Sequence, residues 1–224
     1  MKPLRVVAIV PAAGYGKRLR AGKKKPFVLL GGKPLVSYAL KALEASKEIS
    51  GIIVACERPC VKRLRDIAKR FRIHKLIDVV VGGHTRFESV RNCMRKIGAS
   101  FDIVLIHDAA RPFVDKKTIA QAIKTAAKFG ACVVAVPESD TVKSADSSRF
   151  IEDTLDRNKI FRAQTPQAFR YRIIKEAYSV SKGNNITDDA GLIEKDHRVK
   201  IIEGSYKNLK ITTREDLKIA EALL

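Results

Sequence analysis

The sequence predicts an α/β fold: a doubly wound, mostly parallel sheet, with helices on both faces and one β-arm projecting from it. Three observations lead there. Five apolar, β-branched runs alternate with segments of helical period between residues 5 and 137. The first run is apolar almost throughout, as a parallel strand buried on both faces must be. From residue 139 to about 163 the helical period is lost, and polar residues with short β-type fragments take its place.

Residues 5–11 form the first strand, ending in Pro11. Residues 34–45 follow as a helix, with Pro34 near its first turn and Leu35, Tyr38, Ala39, Ala42 and Leu43 on one face. Strand 51–56, helix 61–71 and strand 76–81 come next, the last closed by Gly82-Gly83. A helix over 86–97, strand 103–107, helix 117–129 and strand 131–137 complete the alternating part. Residues 139–163 read as a hairpin leaving the sheet, with Thr141-Val142-Lys143 and Phe150-Ile151 as its β-type fragments. After it come a helix near 172–181, a turn at Gly183-Asn184-Asn185 and a short helix from Asp188. Strands are expected at 199–203 and 209–212. A last helix follows, with a capping box running from Thr212 to Glu215. The chain therefore reads as one domain, 1–224, with an arm at about 139–163.

Composition narrows the function. Apolar residues make up 46% of the chain, enough for a sizeable core, and 30% are charged. No apolar stretch approaches the roughly 20 residues of a membrane helix. The opening Met1-Lys2-Pro3-Leu4 runs directly into β-branched residues, unlike a signal peptide, so a cytoplasmic address is expected. Cys56, Cys60, Cys93 and Cys132 show no zinc spacing with one another or with histidine, so cysteine metal ligation is not expected. The net charge of +20 attracts anions: nucleotides, phosphorylated metabolites or nucleic acid. The basic residues are spread along the chain, so their local placement decides among these.

In open α/β sheets, ligands bind beyond the carboxyl ends of the strands. There the first loop reads Pro11-Ala12-Ala13-Gly14-Tyr15-Gly16-Lys17-Arg18, then Lys23-Lys24-Lys25-Pro26. Glycines let backbone N–H groups approach phosphate oxygens. Leu19 stands where a dinucleotide fingerprint needs its third glycine, and Ala21 breaks the P-loop pattern. What remains is a glycine loop flanked by cations, suited to a triphosphate. The second loop, Gly82-Gly83-His84-Thr85-Arg86-Phe87-Glu88-Ser89, admits a flat base beside the diglycine, with Ser89 as a polar reader, and reads equally as a plain strand-to-helix turn. The third, His107-Asp108-Ala109-Ala110-Arg111-Pro112, puts a carboxylate at a strand tip, where it can hold Mg²⁺ against substrate phosphates or pair with Arg111.

Those three segments resemble the 2-C-methyl-D-erythritol 4-phosphate cytidylyltransferase family of the non-mevalonate isoprenoid pathway. So do Asp-Thr-Val-Lys (140–143), Asp-Arg-Asn (156–158), Gln-Thr-Pro-Gln-x-Phe (164–169), Thr-Asp-Asp-Ala (187–190) and Glu-Gly-x-x-x-Asn-Leu-Lys-Ile-Thr (203–212). The motifs fall in family order over essentially the whole chain. The resemblance implies a Rossmann-like nucleotidyltransferase fold and transfer of CMP from CTP to the methylerythritol phosphate, releasing pyrophosphate.

By the same resemblance, Ala12, Ala13 and Gly14 meet the nucleotide, Gly82 and Ser89 the cytosine, and Asp108 and Ala109 the ribose and Mg²⁺ region, with Asp108 as the metal ligand. Arg18, Lys25 and Lys210 are the implied catalytic cations. Thr141, Arg157, Thr165 and Thr187 match positions around the acceptor. The arm implies a homodimer, with Arg157 reaching the partner's site. Pro26, His84 and Lys207 depart from the family's usual glutamine and acidic residues. Two other readings stand beside this one. A cytidylyltransferase for another polyol phosphate, such as ribitol 5-phosphate, shares the glycine loop and the Asp-Ala-Ala-Arg motif. A basic nucleic-acid-binding domain would account for the charge, but no recognisable binding motif is present and aromatics are only 6%. No membrane or nucleic-acid partner is expected.

Overall fold

A computed structural model describes residues 3–14, 24–183 and 186–224. Seven strands form one sheet: β1 (Val6–Pro11), β4 (Ile49–Cys56), β5 (Leu76–Val81), β6 (Ile103–Ile106), β7 (Ala131–Pro137), β10 (Phe161–Arg170) and β11 (Lys200–Glu203). Their order is β11-β7-β10-β6-β1-β4-β5. All neighbouring pairs are parallel except those of β10, which runs antiparallel to both β6 and β7.

The period-two rule operates inside a wholly apolar strand. Val6, Ala8 and Val10 of β1 face one core, while Val7 and Ile9 face the other. Helices α1 (Leu35–Glu44), α2 (Val61–Arg70) and α4 (Lys116–Phe129) bury Leu40, Leu64 and Ile119 in the first core. Helices α3 (Arg86–Met94) and α5 (Tyr171–Val180) bury Val90 and Ile174 in the second. Outside the main sheet, β2 (Leu29–Leu30) and β3 (Lys33–Pro34) form a small hairpin. It turns through Gly31 and Gly32, both at positive φ, the geometry a two-residue hairpin loop needs. Against it packs α6 (Arg214–Ala222), through Ala220.

Three features differ from the sequence reading. The strand β10 is absent from that reading, which gave its first residues to the arm. Its buried positions include Gln164, Thr165 and Gln167, so no apolar alternation announces it, and Pro166 falls where the ladder with β7 shifts register. The expected strand over 209–212 is instead an extended loop, held by the Ile211 N–H donating to the Ala110 carbonyl and by the fully buried Ile211 side chain. The last helix takes its capping box one residue later, from Thr213 to Asp216, because the shorter Asp216 carboxylate reaches the N–H groups of both Thr212 and Thr213.

Within 139–163, β8 (Lys143–Ala145) and β9 (Ile151–Thr154) pair antiparallel as a two-stranded ribbon apart from the main sheet. Among the described residues, no helix is long and apolar enough to cross a membrane.

Candidate active site

The loops after β1, β5 and β6 meet over one cleft of about 340 Å³, within the roughly 300–1,000 Å³ usual for ligand pockets. The first loop leaves β1 with the Ala12 N–H donating to the Ala55 carbonyl, which carries Ala13 and Gly14 to the cleft edge. Gly82 packs directly under Ala13: a Cβ there would come within 2.6 Å of the Ala13 methyl and 2.8 Å of Ser89 Oγ. The second loop is fastened by the capping box of α3. The Thr85 hydroxyl accepts from the Glu88 N–H, while Glu88 Oε2 accepts from the N–H groups of His84 and Thr85. The Ser89 hydroxyl donates to the Thr85 carbonyl at 2.9 Å and accepts from the Gly83 N–H at 3.1 Å. It thus holds the diglycine turn in place.

Asp108 stands two residues past the end of β6 and anchors the cleft floor. Its Oδ2 accepts from Lys210 Nζ at 2.7 Å and its Oδ1 from Arg86 Nε at 3.1 Å. Burial opposes its charge, but Arg86, Lys210 and Arg111 outweigh that, and the carboxyl titrates well below the ordinary range. Beneath it sits a closed relay. The His107 Nε2–H donates to the Arg111 carbonyl at 3.1 Å, so in the neutral ring Nδ1 accepts from the Thr165 hydroxyl, also at 3.1 Å. The Thr165 oxygen in turn accepts from the Asp108 N–H at 3.0 Å. Full burial pushes His107 down to about 4, which keeps the ring neutral. Arg111 donates to the Asn208 carbonyl at 2.6 Å, and Asn208 Nδ2 donates to Gln164 Oε1 and to the Thr165 carbonyl. These bonds bring the 208–212 loop, and with it Lys210, to Asp108.

Lys24 and Lys25 take different places. Lys24 Nζ lies 2.6 Å from Glu57, whereas Lys25 opens a 3-10 turn (Lys25–Phe27) and lines the cleft. The structure thus gathers Ala12, Ala13, Gly14, Lys25, Ser89, Asp108, Ala109 and Lys210 around one cavity, with Gly82 in contact behind Ala13. Thr165 lies buried beneath Asp108. Thr141, Arg157 and Thr187 are exposed and stand away from the cleft lining, and the Arg157 guanidinium donates to the Ser139 carbonyl. Arg18 lies outside the described residues.

Sequence reasoning gave no role to Arg86, which pairs with Asp108 through Nε and with Asp189 Oδ2 at 2.7 Å through Nη2. Its spacing could have found it: three residues before Ser89, it shares a helix face with that residue.

Among the described residues, no three His, Cys, Asp or Glu side chains stand together as a metal cluster. Asp108 is the carboxylate that lines the cleft. Mg²⁺ accepts one or two carboxylates plus substrate phosphate oxygens, and an ionised carboxylate has lone pairs beyond the two that Arg86 and Lys210 engage. The donor set fits magnesium brought in with a polyphosphate.

The family model described as IspD, 2-C-methyl-D-erythritol 4-phosphate cytidylyltransferase, matches residues 6–224. A 2-C-methyl-D-erythritol 4-phosphate cytidylyltransferase of Geobacillus thermodenitrificans is 43% identical over 220 residues, covering 97% of this chain and 96% of that relative. One from Syntrophus aciditrophicus is 42% identical, covering 100% of this chain and 97% of its own. The crystal structure of 4-diphosphocytidyl-2C-methyl-D-erythritol synthase from Anaerococcus prevotii superposes with a TM-score of 0.88 at 30% identity, over 99% of this chain and 96% of that one. Sequence, cleft and fold agree, and the chain belongs to the 2-C-methyl-D-erythritol 4-phosphate cytidylyltransferase family.

Proposed function

We propose that the cleft transfers CMP from CTP to 2-C-methyl-D-erythritol 4-phosphate, giving 4-diphosphocytidyl-2-C-methyl-D-erythritol and pyrophosphate. The observation that carries the residue roles is the convergence of Lys25 and Lys210, from opposite ends of the chain, on the cavity floored by Asp108. An oxygen of the acceptor phosphate attacks the α-phosphorus of CTP, the new P–O bond forms, and the bond to the β-phosphate breaks. That acceptor is already an anion at neutral pH, so the protein need not supply a general base. Its task is to hold the reactants in line and to neutralise charge that builds on the phosphoryl oxygens. Lys25 and Lys210 supply fixed cations there, with Arg18 as a third. A magnesium ion held by Asp108 would neutralise triphosphate charge and polarise the reacting phosphoryl group.

A Cβ at Gly82 would collide with Ala13 and Ser89, so this glycine lets the first two loops pack together beside the nucleotide cleft. Thr141, Arg157 and Thr187 form the acceptor side, and Thr165 serves that side from below. The acceptor side is completed by a second copy: the arm presents Phe150 at 73% and Ile151 at 67% exposure, apolar surface that a dimer would cover. The proposed substrates are small water-soluble anions, which suits a cytoplasmic address.

The deciding experiment is pyrophosphate release with CTP and Mg²⁺, comparing 2-C-methyl-D-erythritol 4-phosphate with D-ribitol 5-phosphate. Strong preference for the first supports the proposal. Preference for ribitol phosphate keeps the mechanism and changes the acceptor. Silence with both removes the activity.

A further inference from the structure

We infer that Arg86 is a positioning residue, tying the carboxylate on the nucleotide side, Asp108, to the loop on the acceptor side that follows Thr187. This rests on the proposed cytidylyl transfer and on Thr187 standing at the acceptor.

Arg86 begins α3 and reaches two carboxylates from distant parts of the chain: Asp108 Oδ1 at 3.1 Å through Nε, and Asp189 Oδ2 at 2.7 Å through Nη2. Asp189 is 0% exposed, so its charge needs a compensating partner, and Arg86 is the cation facing it. The second Asp189 oxygen accepts from the Tyr178 hydroxyl at 2.5 Å, and the Tyr178 ring stacks on Phe87, the residue after Arg86, with centroids 4.9 Å apart. Gln167 closes the arrangement. Its Oε1 accepts from the N–H groups of Asp189 and Ala190, both at 3.1 Å, and its Nε2 donates to Asp188 Oδ2 at 2.7 Å. Gln167 also lies opposite Ile106 in the sheet, two residues before Asp108.

Segment 188–191 is thus pinned by α3, α5 and β10 together, and Thr187, exposed at its head, takes its place from that pin. The bridge requires the planar guanidinium, which offers two donors in fixed geometry. A lysine ammonium keeps the charge but cannot satisfy both carboxylates in these directions. Moving either end displaces Thr187 relative to Asp108, and so the attacking oxygen relative to the α-phosphorus.

The test uses the full-length enzyme and the variants Arg86→Lys and Tyr178→Phe. CTP affinity is measured by titration without acceptor, kcat and the acceptor KM by pyrophosphate release, and stability by thermal unfolding. Arg86→Lys should raise the acceptor KM about tenfold or more while CTP affinity stays within about threefold. Tyr178→Phe keeps the stacked ring and loses one bond to Asp189, so it should move the acceptor KM in the same direction by about threefold. An equal loss of CTP affinity in Arg86→Lys would make Arg86 a nucleotide contact and overturn the inference. An unchanged acceptor KM in both variants, even with lower stability, would also overturn it, and if Arg86→Lys does not fold, Tyr178→Phe alone decides. A wild-type enzyme inert toward methylerythritol phosphate overturns the functional proposal and this inference with it.

Discussion

At the scale of single residues, charge and space are set atom by atom. Lys210 is 41% exposed on its side chain, so solvent screens its pair with Asp108, and Arg86 still compensates that buried carboxylate when the lysine is removed. Lys210→Ala and Lys25→Ala should each lower kcat by about 10²–10³ with little change in melting temperature, the scale of losing one preorganised donor. Turnover near wild type in a purified variant would remove that lysine from the reaction centre. Gly82→Ala should weaken CTP binding about tenfold, because the new methyl must displace Ala13 or Ser89, both rigidly placed; titration with CTP reads it directly. Thr165→Val keeps the shape but strips the hydroxyl that serves the Asp108 N–H and His107 Nδ1. Two buried polar atoms then lack partners, at about 1–3 kcal/mol each, and denaturant unfolding should show a loss of that order. The glycines, Lys25 and Asp108 were legible as unusual choices beyond strand ends, whereas Lys210 came only from the family resemblance, since it falls within the stretch read as strand 209–212. The location of Thr165 beneath Asp108 was not legible, since it depends on which strand lies beside β6.

At the scale of elements, the caps hold the chemistry in place. The α3 box joins helix start and diglycine turn, so Thr85→Ala should cost about 1 kcal/mol of stability and also weaken CTP binding, a pairing that unfolding and titration together would reveal. A stability loss with unchanged CTP affinity would separate the cap from the site. Most parallel strands and their helices could be read in advance, because a buried strand such as β1 is apolar on both faces and the helices keep their 3.6 period. The exception, β10, buries Gln164 and Gln167, which hydrogen-bond to Asn208, Asp188 and the 189–190 backbone, and Thr165, which bonds to His107 and the Asp108 N–H. Polar residues satisfied by tertiary partners look like loop until those partners are known. The 209–212 loop failed for the opposite reason. Leu209 and Ile211 look like strand, but they pack beside α6 and the small hairpin.

At the scale of the whole molecule, the +20 charge surrounds a cleft built for a polyanion, so CTP affinity should fall as salt is raised. The ribbon formed by β8 and β9 is the surface the proposed dimer would bury. Phe150→Asp with Ile151→Asp should give a monomer by sedimentation and cut turnover strongly, while the melting temperature of the sheet domain stays close to wild type. A dimer that persists would move the interface elsewhere. The antiparallel β10 has a consequence of a different kind, in the order of assembly. It sits between β6 and β7, so β7 joins the block β6-β1-β4-β5 only through a strand made after it, and β11 is made later still. A nascent chain that has passed residue 137 owns every strand from β1 to β7 and still shows two open edges. Such edges invite pairing with other chains. Emergence of residues 161–170 from the ribosome therefore covers the facing edges of β6 and β7 together, while the outer edge of β7 stays open until β11 follows.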